Sequence, residues 1–365
     1  MDQPTTLNYY AGGNTARGFA NLFDSSLQKL EKIYILKGGP GTGKSSLMRS
    51  IAEQFSNQNF DTWLIHCSSD NDSLDGVIIP ELSVGIVDGT APHVIEPELP
   101  GAVEQYVNLG AAWDSLQLRQ QKEQIALLQE QISSAFTQAY ENFGKALRIH
   151  DEWESIYISK MNFAEANLVT AELAEQIFGE QRLDKKSRVD RRFLGAATPR
   201  GAADFVPNIT EGLSKRYFLK GRAGTGKSTL LKKLAAIAME RGFDTEIYHC
   251  GFDPKSLDMV IIRELGVTVF DSTAPHEYFP DRENDEIIDL YERCVAPGTD
   301  EANAEALQQI EARYSAQMKQ AIAHLAEAKS YHDQLEVIYK QAMDFSKVNA
   351  IRDQIAEEIK ALIPN

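Results

Sequence analysis

The chain contains an internal repeat, and this repeat constrains its fold more than any other feature. When the sequence is shifted by 183 positions, residues 12–93 align without a gap with residues 195–276. The aligned segments share 38 identical residues in 82 positions, far more than chance gives. A second block, residues 150–167, recurs from residue 332 at an offset of 182. The chain therefore consists of two copies of one unit, called copy 1 and copy 2 below.

The first part of each copy has the pattern of an α/β domain. In copy 1, short β-branched runs predict strands, and Leu47, Ile51 and Phe55 have helical spacing between the first two of them. The predicted elements are strands at 33–38, 61–67 and 84–89 and a helix at 45–55. Strands that alternate with helices predict a parallel sheet with flanking crossover helices. The stretch 74–82 and its repeat are predicted to be helical, with Ser73 and Ser256 as N-caps.

The second part of each copy is predicted to be a long helical hairpin. Residues 112–178 and 302–361 are rich in Ala, Gln, Glu, Leu and Lys and nearly free of Pro and Gly. The simplest interpretation is an antiparallel helix pair that packs on the α/β domain of its own copy. The segment 183–192 is interpreted as a polar connection between the copies. The expected domains are 1–110 and 191–297 for the α/β parts, and 111–190 and 298–365 for the hairpins.

Composition excludes several classes of protein. The chain has 37 Lys and Arg against 53 Asp and Glu, a formal net charge of −16, which disfavours a general nucleic-acid binder. No apolar run reaches the roughly 18 residues that span a bilayer, so no membrane association is expected. Three cysteines cannot form a disulfide framework, and the first ten residues lack a signal-peptide pattern. These features predict a cytoplasmic protein.

Two glycine-rich loops give the strongest functional signal. Each matches G-x-x-x-x-G-K-[ST] and lies between a predicted strand and a predicted helix, where backbone N–H groups can surround a phosphate. Lys44 and Lys227 are expected to reach the β- and γ-phosphates of a nucleotide, and Ser45 and Ser228 to bind Mg²⁺. The predicted nucleotide-binding residues are Gly38, Gly39, Pro40, Gly41, Thr42, Gly43, Lys44, Ser45 and Ser46 in copy 1, and Gly221, Arg222, Ala223, Gly224, Thr225, Gly226, Lys227, Ser228 and Thr229 in copy 2.

Asp88 and Asp271 are the predicted acidic partners of these loops. Each follows an apolar β-branched run, so its carboxylate is expected at the edge of the sheet where ligands bind. The proposed role is Mg²⁺ coordination through water; the alternative is a turn-forming aspartate. No glutamate follows either aspartate, since the next residues are Gly89 and Ser272.

His93 and His276 end the two T-A-P-H motifs, five residues after these aspartates. The hypothesis is that they contact the γ-phosphate or act as a general base; the alternative is that they fix the geometry of the loop. A zinc site made of His66, Cys67 and His93 is disfavoured, because adjacent residues on a strand point to opposite faces.

Two further groups of residues have both a functional and a structural interpretation. Asp70, Asp75, Asp253 and Asp258 could bind a hydroxyl, amine or cationic acceptor, or could belong to the start of a helix. Arg17 and its counterpart Arg200 could serve as arginine fingers on the other copy's phosphate, or could simply be exposed.

These motifs resemble those of the P-loop NTPase superfamily over residues 33–93 and 216–276. The tandem arrangement with two D-[GS]-T-A-P-H motifs is similar to an uncharacterised bacterial family of duplicated P-loop ATP-binding proteins. The resemblance implies ATP and Mg²⁺ as cofactors, and the absence of an N-K-x-D string favours ATP over GTP. Many hydrolytic P-loop enzymes carry a glutamate directly after the aspartate. Its absence here places efficient unaided ATP hydrolysis in doubt and leaves slow switching or phosphoryl transfer open. An ATPase or ATP-dependent conformational switch is the preferred hypothesis, and a small-molecule or nucleotide kinase is the alternative.

Overall fold

A computed structural model describes residues 4–364, so residues 1–3 and 365 of the expected domains lie outside it. Each copy forms one six-stranded mixed sheet with flanking helices and a small two-stranded hairpin. The elements of copy 1 are β1 Thr6–Tyr9, β2 Gly12–Thr15, β3 Gly18–Asn21, α1 Phe23–Leu27, β4 Lys32–Lys37, α2 Lys44–Ser56, β5 Thr62–His66, β6 Leu74–Ile79, β7 Val84–Asp88, β8 Glu104–Asn108, α3 Ser115–Gln120, α4 Lys122–Ile158 and α5 Phe163–Phe178. Those of copy 2 are β9 Val189–Phe193, β10 Gly195–Thr198, β11 Gly201–Asp204, α6 Val206–Ile209, β12 Lys215–Lys220, α7 Lys227–Glu240, β13 Thr245–His249, β14 Leu257–Ile262, β15 Val267–Asp271, β16 Glu286–Asp289, α8 Leu290–Cys294, α9 Thr299–Ala302, α10 Ala304–Gln341 and α11 Phe345–Lys360. Short 3₁₀ turns follow β6, β8 and β14 at Pro80–Leu82, Leu109–Ala112 and Arg263–Leu265.

The two sheets have the same topology. The first has the order β1-β5-β6-β7-β4-β8 and the second repeats it as β9-β13-β14-β15-β12-β16. Strands β6 and β14 run antiparallel to both neighbours, whereas the other pairs are parallel. The α/β class is confirmed, but the predictions of a parallel sheet and of a helix at 74–82 are wrong. Every residue of β6 is buried, and a short, wholly apolar run has no periodicity that separates a buried strand from a buried helix.

The correction at β6 and β14 also removes two predicted helix caps. Ser73 and Ser256 precede strands, so they cap no helix. The segment 183–192 is likewise not only a connection, because its end forms β9, which pairs in parallel with β13. Strand β9 lies 183 positions after β1, so the structural repeat begins before the first identical residues.

Each sheet has one face in a core that the two copies share. From copy 1, Ile35 and Val87 pack in this core, and Phe218 and Phe270 enter it from copy 2. The apolar residues on one face of each sheet are thereby buried against the other copy. The two copies, each with its own sheet, therefore pack against each other through a continuous core.

The opposite face of each sheet is covered by helices from both copies. Helix α11, at the end of copy 2, packs on α2 of copy 1, where Val348, Ile355 and Ile359 join the core that contains Ile51 and Phe55. In the reciprocal arrangement, α5 of copy 1 packs on α7 of copy 2. The prediction that each hairpin packs on its own α/β domain is therefore wrong.

The predicted antiparallel pair within each copy is also wrong. The long helices α4 and α10, of 37 and 38 residues, pack along each other, and Ala139, Phe143, Ala321 and Leu325 form their core. Small alanine side chains allow the two helices to approach closely. Within residues 4–364, no helix is both long and apolar enough to cross a membrane.

Candidate functional site

The two glycine-rich loops occupy equivalent positions in the two sheets. Glycine loop 1 (residues 38–46) joins β4 to α2, and glycine loop 2 (residues 221–229) joins β12 to α7. Gly43 and Gly226 precede the helices with φ angles of 91° and 87°, which glycine adopts without strain. The first N–H groups of α2 and α7 have no partner within their helices, and such helix starts favour anions.

The loop lysine and the predicted acidic partner come together in both copies. Strand β4 pairs with β7, and this pairing brings Asp88 to the edge where glycine loop 1 begins. The Nζ of Lys44 lies 3.5 Å from Asp88 Oδ2 and donates to two loop carbonyl oxygens at 2.9 and 3.0 Å. The corresponding distance from Lys227 Nζ to Asp271 Oδ2 is 3.7 Å. In both copies, the lysine and the aspartate that the sequence singled out thus lie side by side.

The predicted magnesium ligands are hard oxygen donors. Ser45 Oγ accepts the N–H of Leu74 at 2.9 Å, and Ser228 Oγ accepts that of Leu257 at 3.0 Å, so each hydroxyl lies at the start of β6 or β14. Asp88 Oδ1 accepts two hydrogen bonds from Thr90, and its Oδ2 faces the lysine. A serine hydroxyl and an aspartate beside a glycine-rich loop are oxygen ligands of the kind that Mg²⁺ prefers, with waters completing its coordination.

His93 lies inside the protein and not on an open ligand surface. Its side chain is 6% exposed, and the rings of Phe19 and Phe23 lie 5.2 Å from it. His93 Nε2 is 3.2 Å from Asp75 Oδ2. Burial disfavours the charged ring, but the carboxylates of Asp75 and Asp88 outweigh it, so the pKa of His93 lies above its ordinary value.

His276 in copy 2 has a different partner. Its Nδ1 lies 2.7 Å from Asp204 Oδ2, a residue of β11 whose counterpart in copy 1 is Asn21. Burial again opposes the charged form, and Asp204 outweighs it, so the pKa of His276 is also raised. In the same copy, burial and the charge of Asp271 raise the pKa of Asp258 to about 7.

The histidines at the ends of β5 and β13 lie apart from these clusters. His66 Nε2 is 2.8 Å from Asn8 Oδ1, and the ring packs on Phe205 at 4.4 Å. Cys67, the next residue, lies instead with Asp75 and His93, as the alternation of side chains along a strand requires. The sequence disfavoured a zinc site of His66, Cys67 and His93, and His66 indeed lies elsewhere. It named Asp75 only as a possible acceptor ligand or part of a helix start, because β6 was predicted as a helix.

Each glycine loop is covered by helices of the other copy. A methyl group added to Gly41 would lie 2.8 Å from the backbone oxygen of Glu336, near the end of α10. The same group on Gly224 would lie 2.7 Å from the backbone oxygen of Glu154, near the end of α4. Only glycine fits at these two close contacts.

The contact of α4 and α10 with the glycine loops of the other copy explains a helical spacing in the sequence. His150, Glu154, Tyr157 and Met161 have helical spacing, and Glu154 and Met161 lie against glycine loop 2. In copy 2 the equivalent Glu336 and Tyr339 lie against glycine loop 1. The pattern therefore marks a contact between copies, where the sequence had suggested one within a copy.

The loops that follow β5 and β13 are also tied to the opposite copy. Arg17 Nε donates to Asp253 Oδ1 at 2.8 Å, and Arg200 pairs with Asp72. The arginines do reach across to the other copy, as the sequence suggested, but they bind carboxylates of these loops. Asp72 and Asp253 are thus occupied by cations of the protein itself.

Comparison with known proteins adds no family to this geometry. Neither the protein-family models nor the curated proteins match the sequence, and no solved structure matches the fold. The arrangement of the residues themselves therefore carries the functional interpretation.

Proposed function

We propose that glycine loops 1 and 2 are P-loops and that each binds MgATP. The main support is the pairing of Lys44 with Asp88, and of Lys227 with Asp271, beside a glycine-rich helix start in both copies. Ser45 and Asp88 would hold Mg²⁺ in copy 1, and Ser228 and Asp271 in copy 2. The bound Mg²⁺ would neutralise charge on the β- and γ-phosphates.

We further propose that the protein is an ATPase or ATP-dependent switch. The observation that carries this proposal is the cover of each loop by helices of the other copy, because ATP and ADP would then differ in what they contact across the copies. Nucleotide switches commonly use the γ-phosphate to favour one of two such packings. A kinase is favoured less, since two of the candidate acceptor ligands are already paired with cations of the protein: Asp70 with Lys329 and Asp253 with Arg17.

Binding is tested by equilibrium dialysis with MgATP. We expect two sites per chain in the wild type and one in either Lys44→Ala or Lys227→Ala. Saturation at 100 times Kd should add about 2.7 kcal/mol to the free energy of unfolding. A wild-type stoichiometry of one, with both variants folded by circular dichroism, would contradict the claim of two sites.

The reaction is tested by two measurements on the wild type. An ATPase or switch releases phosphate without an added acceptor, whereas a kinase keeps ATP intact until its acceptor arrives. Hydrogen exchange in residues 112–178 and 302–361 should also differ between a non-hydrolysable ATP analogue and ADP at saturation. Identical exchange in the two states would argue against a switch.

A further inference from the structure

A second cluster of chemically reactive side chains lies beside glycine loop 1. Cys67, Asp75 and His93 each place one ligand atom within 4.8 Å of the others. They come from three different segments: the end of β5, the start of β6 and the T-A-P-H loop. Asp75 is 3% exposed, and its Oδ2 makes no hydrogen bond to any of the described residues. This oxygen points into the cluster, towards His93 Nε2 at 3.2 Å.

The side-chain types and their spacing fit a divalent transition metal. Thiolate, imidazole and carboxylate are the three ligand types that Zn²⁺ takes from proteins, at about 2.0 to 2.3 Å. A tetrahedral ion with such bonds separates its ligand atoms by roughly 3.3 to 3.8 Å. The observed separations need only small side-chain movements to reach this geometry.

The charges of the proposed ligands also match that of a divalent ion. A thiolate and a carboxylate together carry two negative charges, which a divalent ion neutralises inside the protein. Burial and the nearby carboxylate raise the pKa of the Cys67 thiol well above its ordinary value. A bound ion would favour the thiolate instead, because metal ligation requires the deprotonated sulfur.

Copy 2 provides an internal comparison. It has the same three residue types, Cys250, Asp258 and His276, but His276 is bound to Asp204 at 2.7 Å. Within residues 4–364, these three side chains do not form a cluster of the kind that Cys67, Asp75 and His93 form. At the position of Asp204, copy 1 has Asn21, whose amide donates to the backbone oxygen of His93. The His93 ring therefore has no carboxylate partner at that position and faces Asp75 instead.

We propose that Cys67, Asp75 and His93 form a binding site for one Zn²⁺-type ion in copy 1, and that copy 2 has no such site. The fourth ligand would be water or a bound phosphate group. The ion would join β5, β6 and the T-A-P-H loop beside glycine loop 1. The site does not depend on nucleotide binding, so it stands even if the proposed function fails.

The test is a titration of the reduced, metal-free full-length protein with Co²⁺. A thiolate ligand gives an intense charge-transfer absorption in the near ultraviolet, which oxygen-only Mg²⁺ sites do not produce. We expect saturation at one ion per chain, and displacement of Co²⁺ by Zn²⁺. Cys67→Ser should abolish the absorption. Cys250→Ser is the matched control and should leave both absorption and stoichiometry unchanged.

A second variant tests whether the residue at position 21 decides where the His93 ring points, and it alters none of the three proposed ligands. Asn21→Asp places a carboxylate where copy 2 has Asp204, so His93 should turn away and Co²⁺ binding should weaken at least ~10-fold. Lys44→Ala should keep the absorption, which separates this site from the nucleotide site. The proposal would be overturned if the wild type did not show the charge-transfer absorption. It would also be overturned if Cys67→Ser kept this absorption, or if Cys250→Ser lost it.

Discussion

Where the two copies meet, copy 1 has Tyr9 and Trp63, and copy 2 has Arg192 and Glu246 at the equivalent positions. The Arg192 guanidinium stacks on Tyr9 at 4.6 Å and on Trp63 at 4.9 Å, and it donates to Glu246 at 2.9 Å. Arg192 and Tyr9 are equivalent positions. In a symmetric dimer of identical subunits both would be the same residue, so a contact between an arginine and a tyrosine there could not form. Gene duplication released the copies from that symmetry, and the contact between them became complementary.

The candidate sites differ by a smaller change. Copy 1 has an amide at Asn21 and copy 2 a carboxylate at Asp204, and the two histidines turn to different partners. The glycine loops, lysines and aspartates are nevertheless retained in both copies. Divergence has thus changed the surroundings of the two sites more than their central residues.

The largest expected effect of breaking this asymmetry is at Arg192. Arg192→Ala removes the buried guanidinium that stacks on Tyr9 and Trp63 and leaves buried Glu246 paired with Arg263. Loss of these stacked contacts together with one member of a buried ion pair should cost about 3 to 5 kcal/mol. The free energy of unfolding is measured by urea denaturation. The exposed neighbour Arg191→Ala is the control, with an expected change within ~0.5 kcal/mol. Equal effects of the two variants would contradict the asymmetric contact.

The packing of α11 and α5 on the sheets of the opposite copies is tested by substitutions at two equivalent positions. Ile359 in α11 and Ile177 in α5 are both buried, and each change to Ala should cost about 2 to 4 kcal/mol. Hydrogen exchange shows which region is destabilised. Ile359→Ala should lower the protection of backbone amides in residues 44–56, and Ile177→Ala should lower it in residues 227–240. The opposite pattern would mean that each helix packs on its own copy.

A smaller effect is expected from Asp204→Asn. The raised pKa of His276 means that the charged ring stabilises the fold fully below about pH 6.5 and loses this effect as the pH rises through the folded-state pKa. Asp258, Asp271 and Tyr278 remain as neighbours in the variant, so we expect a loss of about 1 to 2 kcal/mol near pH 6 and a smaller one near pH 9.

The measurement for Asp204→Asn is denaturation of wild type and variant at both pH values. Asn21→Ser, at the equivalent position of copy 1, is the control and should not change the pH dependence. A difference between wild type and Asp204→Asn that grows with pH would show that His276 is not stabilised in its charged form.

Local sequence patterns predicted the elements around the glycine loops well. The loop motif placed Gly43 before a helix, and the apolar run before Asp88 predicted a strand that ends beside Lys44. The run at β6 was predicted wrongly, because a fully buried strand lacks alternation. Because of that error, the sequence did not place Asp75 beside Cys67 and His93, a position that depends on the pairing of β6 with β5.

The sequence by itself determined the duplication, the α/β class and the positions of both glycine loops, since identity, apolar periodicity and glycine spacing act over short distances. Only the tertiary structure decided which copy's helix covers which loop. Both copies have nearly the same apolar stripes, so either packing satisfies the local pattern. The exchange follows from how the two sheets share a core, which brings α11 onto α2 and α5 onto α7. The orientation of His93 and His276 likewise depends on contacts across different segments, and no local pattern records them.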